Sequence, residues 1–329
     1  MTRSGTAVAS WHHPVPWRPE DPGHPLVDYH AHAALPGFDG RAGDAGPETG
    51  TGADGRPYFR VGGYRLDGVQ YDGTPFRDLD LRLQAMDALG IDAQVLSPNP
   101  LTYFHHVAPT TAAEICRWHN ESVAALVARH PDRLAGFAQV PMQRPDLAVA
   151  ETTRAVQDLG LVGPYIGTQH GRDLDDPALD DLWSACVELD VPVFLHPGVH
   201  GADGPPLDER LGRFDLELTL GFLYEETVAI AQLVFGGVLH RHPELRVGVS
   251  HGGGAVPWLR ERWRRAVEVR PWVPDWLREP GAFDEQLRRL WVDAHTGGAE
   301  SLALLREVVG PDHLVYGTNL AGWDAPRPT

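Results

Sequence analysis

Leu26-Val27-Asp28-Tyr29-His30-Ala31-His32 is an apolar entry that ends in an aspartate and two histidines at i and i+2. On a strand, alternate side chains share one face, so His30 and His32 point the same way at its C-terminal end. Two imidazoles placed like this suit one metal ion. The pair alone is a weak signal, because 17 histidines in 329 residues give about one H-x-H by chance. Two later apolar runs strengthen it. Val191-Pro192-Val193-Phe194-Leu195-His196 and Val247-Gly248-Val249-Ser250-His251 also close on histidine, and each runs into a glycine-bearing turn. Three strands ending in histidine are not a pattern that chance readily produces.

Outward from these runs, strand and helix patterns alternate along the chain. Strands are predicted at 26–30, 93–97, 134–140, 164–167, 191–196, 246–250, 290–293 and 313–317. Helices are predicted at 77–89, 111–130, 147–159, 179–189, 224–239, 256–269 and 300–309. Eight strands with helices between them predict an α/β fold, a (β/α)8 or TIM barrel with its site at the strands' C-terminal ends. A doubly wound open sheet is the alternative, but it would carry a glycine fingerprint where this chain has histidines. Residues 1–25 read as an irregular arm, and 26–329 as the barrel. The barrel includes a Gly-rich insertion at 33–75, too long for an ordinary loop. Phe59, Tyr64, Leu66, Val69 and Tyr71 predict a small hairpin within this lid. The eighth helix is expected to be missing, so the arm or a partner subunit should cover that surface.

Acidic residues outnumber basic ones, 45 to 28, for a net charge of −17. This argues against nucleic acid or an anionic membrane as partner. Every basic residue is arginine, which excludes lysine Schiff-base chemistry and a carbamylated lysine bridging two metals. Cys116 and Cys186 lie in helical patterns and indicate no disulfide framework, as a cytoplasmic protein would have it. No apolar run is expected to reach the length of a membrane span, and no signal pattern is evident.

The motifs Asp28-x-His30-x-His32, Arg82-Leu83-Gln84-Ala85-Met86-Asp87, Gly167-Thr168 with Arg172-Asp173-Leu174, Phe194-Leu195-His196-Pro197, Phe235-Gly236-Gly237-Val238-Leu239 and Ser250-His251-Gly252-Gly253-Gly254 together resemble the amidohydrolase superfamily. They are most similar to its branch of aminocarboxymuconate semialdehyde decarboxylase and related metal-dependent, non-oxidative decarboxylases. That resemblance implies His30, His32 and His196 as metal ligands and His251 as acid/base. It also implies Arg60 as a lid residue for a substrate carboxylate, and Arg262 as a second that reaches a neighbour's site across a homodimer interface. The chain departs from the pattern on strand 8. An aspartate implied there is Asn319, in Gly317-Thr318-Asn319, and Asp324 five residues on is a substitute carboxylate to consider. Gly198 stands where the semialdehyde decarboxylase has an aromatic residue.

Strand 4 offers neither lysine nor glutamate to bridge two metals, so one divalent ion is expected, zinc first and manganese second. Such an ion acts as a Lewis acid and lowers the pKa of its water. His251 would pass a proton to the carbon that loses carboxylate. Each residue also has a plainer reading. Asn319 is a ligand or an outer amide, Asp293 a site residue or a structural acceptor, and Arg262 a surface charge. His105 and His106 touch substrate or only pack. His12, His13, His24 and His170 read as surface residues. The expected activity is decarboxylation of a small unsaturated or aromatic carboxylic acid. The alternatives are a metal-dependent hydrolase or hydratase, and a non-catalytic barrel with a decayed metal site.

Overall fold

Parallel pairing governs the observed architecture. The structure, a computed structural model, describes residues 12–198, 208–320 and 322–325. Eight parallel strands form the ring: β1 (Val27–Ala33), β2 (Ala93–Pro98), β3 (Leu134–Gly136 and Ala138–Gln139, broken at Phe137), β4 (Pro164–Gly167), β5 (Val193–His196), β6 (Val247–Val249), β7 (Trp291–Asp293) and β8 (Leu314–Val315). Each pairs with the next. A parallel bridge between Asp28 and Tyr316 closes β8 onto β1. This is a (β/α)8 barrel.

The helices lie outside: α1 (Leu79–Leu89), α2 (Pro109–Val127), α3 (Pro145–Gln157), α4 (Asp180–Glu188), α5 (Phe222–Phe235), α6 (Val256–Val269) and α7 (Ala299–Val309). Local chemistry sets their ends. Asp78 caps α1 by accepting from the Leu81 N–H, and Gly90 ends it in the left-handed conformation. α2 and α3 start two residues earlier than the apolar spacing predicts, because Pro109 and Pro145 occupy their first turns. Two short helices, Asp275–Arg278 and Ala282–Arg288, were not anticipated within the proline-rich approach to β7. A π-helical turn at Glu217–Gly221 runs into α5. The joined 19-residue helix Glu217–Phe235 has mean hydropathy 1.3, long and apolar enough by composition to cross a membrane, contrary to the sequence expectation. Its buried residues, including Ala229, Ile230, Leu233 and Val234, pack around the barrel.

A register shift in β1 decides where the histidines point. Asp28 pairs with Gln94 and Ala31 with Leu96, so β1 carries one extra residue there. Val27 and Tyr29 pack inside the barrel with Phe137, Tyr165 and Phe194. The bulge changes the parity, and His30 and His32 then face the interior as well.

The lid is a three-stranded antiparallel sheet, Glu48–Thr51, Pro57–Val61 and Tyr64–Asp67, one strand more than the predicted hairpin. Phe59 and Tyr71 seat it against Leu101, Phe104 and Ile115. Asn99 Nδ2 ties it down by donating to the Tyr71 hydroxyl at 3.0 Å. Among the described residues no helix follows β8. The arm runs beside that strand instead, with the Trp17 N–H donating to Leu314 O at 2.7 Å and its ring against Tyr316. The Val15 N–H donates to the Tyr29 hydroxyl at the base of the barrel. Residues 1–11 of the arm and 199–207 of the long loop after β5 lie outside the described residues.

Candidate metal centre

Strand ends place four imidazoles together at the C-terminal mouth: His30 and His32 from β1, His196 ending β5, and His251 just past β6. Their rings lie 4.6–5.0 Å apart for the pairs His30–His32, His30–His196, His30–His251, His32–His196 and His196–His251. One ring nitrogen from each of His30, His196 and His251 falls within 4.8 Å of the others. His32 Nε2 and His196 Nε2 are 3.3 Å apart. Two nitrogens on a tetrahedral ion with bonds of about 2.05 Å sit about 3.3 Å apart, so this spacing fits a shared ion.

Every Nδ1 is turned outward onto a fixed partner. His30 Nδ1 meets Asp293 Oδ2 at 2.7 Å, and both side chains are fully buried. His32 Nδ1 meets Pro98 O at 2.9 Å, and His196 Nδ1 meets Pro197 O at 2.7 Å. His251 Nδ1 meets Glu226 Oε1 at 2.7 Å. For His30, His32 and His196, a proton on Nδ1 leaves the Nε2 lone pair facing inward, which is the tautomer a metal ligand needs. His30 Nε2 is buried and has no hydrogen-bond partner among the described residues. An orphaned buried nitrogen is costly, and a bound cation would satisfy it. Burial, with the neighbouring imidazoles, holds His30 and His196 well below the ordinary histidine range. Burial likewise pushes His32 down to about 3. All three stay neutral at pH 7. His251 goes the other way: burial opposes its protonation, but the Glu226 carboxylate outweighs that and raises it to about 9.

A buried chain of polar groups fixes β1 beneath the histidines. Arg82 donates to His32 O at 2.6 Å and to Gln94 Oε1 at 3.0 Å. Gln94 Nε2 donates to Asp28 Oδ2 at 2.8 Å. Asp28 also accepts from the Thr318 hydroxyl at 2.6 Å and the Thr318 N–H at 3.1 Å. Burial raises Asp28 to about 6 against these four donors, the His30 N–H among them.

The remaining sequence-derived residues fall in several places. Asp293 belongs to the cluster, and besides His30 it accepts from Gly252 N and His295 N, each at 3.1 Å. Asn319 and Asp324 meet each other, with Asn319 Nδ2 donating to Asp324 Oδ1 at 2.7 Å. Arg60 is not brought to the histidines. Its guanidinium is engaged by Glu48 at 2.7 Å and by Gly62 O at 2.9 Å, inside the lid sheet. Arg262 is exposed on α6, and Glu261 pairs with Arg264 rather than with it. His105 stacks on Tyr103 with ring centroids 5.4 Å apart. His170, expected at the surface, is buried 6.0 Å from the His105 ring, because the turn after β4 folds inward.

The family model described as Amidohydrolase matches residues 10–329. The chain belongs to the amidohydrolase family. The 2-amino-3-carboxymuconate-6-semialdehyde decarboxylase of Dictyostelium discoideum is 31% identical over 260 residues, 76% of this chain and 70% of that protein. A gamma-resorcylate decarboxylase of Rhizobium radiobacter is 31% identical over 260 residues, 73% of this chain and 76% of that one. The crystal structure of a dihydroxybenzoic acid decarboxylase from Polaromonas, with bound manganese and the inhibitor 2-nitroresorcinol, shares the fold. Its TM-score is 0.68 at 22% identity, over 90% of this chain and 86% of that one.

Two site residues of this amidohydrolase escaped the sequence reading. Glu226 looks like one of a pair of acids in an otherwise apolar helix, yet it shares a face with Phe222, Ile230 and Leu233, and that spacing could have flagged it. His295 follows Asp293 at i+2, the same spacing as Asp28 and His30, and its ring lies 5.4 Å from that of His30.

Proposed function

We propose that this amidohydrolase is a metal-dependent, non-oxidative decarboxylase of a small aromatic or unsaturated carboxylic acid. The observation that carries the reading is the set of four imidazoles with each Nδ1 held outward and each ring turned to a common centre. His30, His32 and His196 would hold one divalent ion. When bound, that ion supplies Lewis-acid stabilisation of the negative charge developing as carboxylate leaves. The imidazole donors suit zinc, and the manganese of the related dihydroxybenzoic acid decarboxylase supports manganese as the second choice.

The chain's own residues would do the rest. Asp293 keeps the His30 lone pair directed inward. Glu226 holds His251 protonated, so its ring can donate a proton to the carbon whose bond to carboxylate breaks, while CO2 departs. Phe222, with its ring 5.6 Å from His196 and 5.7 Å from His251, shields that transfer from water. Arg60 serves the lid's own fold, because Glu48, Gly62 and Asp44 take up its donors. Trp258, 83% exposed on α6 one turn from Arg262, supports a homodimer through that helix. The buried free thiols of Cys116 and Cys186 suit a reducing, cytoplasmic setting.

The test is metal content by inductively coupled plasma mass spectrometry on wild type and His30→Ala, with CO2 release from a panel of hydroxybenzoates and muconates. About one equivalent per chain, lost in the variant together with CO2 release, is expected. No metal after reconstitution with Zn²⁺ or Mn²⁺ would sink the reading and leave a binding barrel. Metal with water addition in place of CO2 release would favour the hydratase.

A further inference from the structure

The end of β8 is where this chain departs from the resemblance, and the backbone there does something specific. Asn319 has φ +49°, in the left-handed region, and the Gly322 N–H donates to its carbonyl at 2.7 Å. The chain therefore turns back on itself, and Asp324 returns to the barrel mouth. Its carboxylate is held at both ends: Asn319 Nδ2 at 2.7 Å from Oδ1 and His295 Nε2 at 2.8 Å from Oδ2. His295 is itself fixed, because Asp293 Oδ1 accepts its backbone N–H at 3.1 Å. The His295 ring lies 5.4 Å from that of His30 and 5.9 Å from that of His251.

Charge balance picks out this carboxylate. Three neutral imidazoles around a divalent ion leave a buried double positive charge, which needs an anion nearby. Asn319 is neutral. Asp28 accepts from Thr318, Gln94 and the His30 backbone. Asp293 accepts from His30, Gly252 and His295, and Glu226 accepts from Ser250 and His251 on Oε1; both carboxylates meet the Nδ1 sides of His30 and His251, behind the rings and away from the inward Nε2 atoms. A carboxylate offers about four lone-pair sites, and Asp324 has committed two. Burial opposes its charge, but the His295 and Asn319 contacts outweigh that and hold it at about 2, so it is fully ionised at neutral pH.

We propose that Asp324, and not Asn319, is the carboxylate of the metal centre, with Asn319 and His295 as the positioning residues that hold it there. The inference rests on the metal-centre reading above. Asn319 takes the place of a strand-end carboxylate as a hinge and hydrogen-bond donor, and the negative charge arrives five residues later.

The experiment is calorimetric titration of chelator-stripped full-length protein with Mn²⁺ alone. Wild type, Asp324→Asn, His295→Gln and Asn319→Ala are compared, and urea melts of each apo form check folding. Asp324→Asn should weaken Mn²⁺ binding by about 10–100-fold, with His295→Gln and Asn319→Ala each losing less, and the apo melts should stay near wild type. If Asp324→Asn does not fold, the His295→Gln affinity decides alone, with wild-type affinity overturning the proposal. Wild-type affinity in Asp324→Asn overturns it, as does a larger loss in Asn319→Ala, which would make the asparagine oxygen the ligand. Failure of wild type itself to bind Mn²⁺ would strike the metal-centre reading instead.

Discussion

Replacing Asp293 with asparagine changes one atom and should remove most of the metal affinity while leaving the fold alone. The carboxylate makes three contacts: Oδ1 accepts from the backbone of Gly252 and His295 at 3.1 Å each, and Oδ2 faces His30 Nδ1 at 2.7 Å. An asparagine keeps its oxygen toward the two backbone donors, because the opposite orientation would set an NH2 against two N–H groups. Its NH2 then faces His30 Nδ1. In the apo protein His30 answers by accepting there and carrying its proton on Nε2, so a hydrogen bond survives and stability should fall by under about 1 kcal/mol. To bind an ion through Nε2, His30 must move the proton back and point N–H at N–H. That forfeits a carboxylate-assisted bond of about 1.5–3 kcal/mol. At 1.4 kcal/mol per decade, the Mn²⁺ dissociation constant rises about 10–150-fold. Calorimetry on stripped protein reads the affinity and urea melts read the fold. Affinity within twofold of wild type would show that Asp293 does not set the His30 tautomer, and an apo destabilisation as large as the affinity loss would show a purely structural role.

Two further substitutions have three defined outcomes. Glu226→Gln removes the charge that raises His251 to about 9. The alkaline limb of a pH–kcat profile should move down toward the ordinary histidine value of about 6.5 or below, and an unmoved limb would exclude His251 as the acid. The same elevation stabilises the wild-type apo fold. That contribution is fully present below about pH 6.5 and lost as pH rises through about 9, so urea midpoints at pH 6 and 9.5 should converge in Glu226→Gln. Gly163→Ala should cost about 2–5 kcal/mol in urea with Mn²⁺ affinity untouched, from strain plus overlap. Its φ is +153° and a Cβ would lie 2.1 Å from Pro192 O, so a wild-type midpoint would mean that this turn can relax.

The barrel was legible because its strands are short apolar runs with distinct stops, and the β4 and α6 boundaries match the predicted ones to the residue. The four histidines were legible because each closes such a run. What the sequence hid was the geometry between elements. Glu226 reaches His251 from 25 residues away, and although its place on the apolar face of its helix marks it as buried, nothing local says which side chain it meets. Arg60 sits among lid residues that suggest contact with a ligand, yet Glu48 opposite it in the antiparallel register takes its charge. His170 gave no periodic signal because its burial comes from the turn after β4 rather than from an amphipathic pattern. Asp324 depended on the left-handed turn at Asn319, and no spacing rule foretells such a reversal.

The extra residue in β1 separates two alignments that a regular strand would lock together. Below it, Val27 and Tyr29 obey the packing of the barrel floor; above it, His30 and His32 obey the centre. Because side-chain direction alternates with a period of two, closing the bulge between Asp28 and Ala31 into a regular strand would turn one set outward, whichever register the strand chose. β1 is thus two phased segments spliced at one step, and the apolar stretch that announces the strand does not by itself give the phase of the histidines that follow.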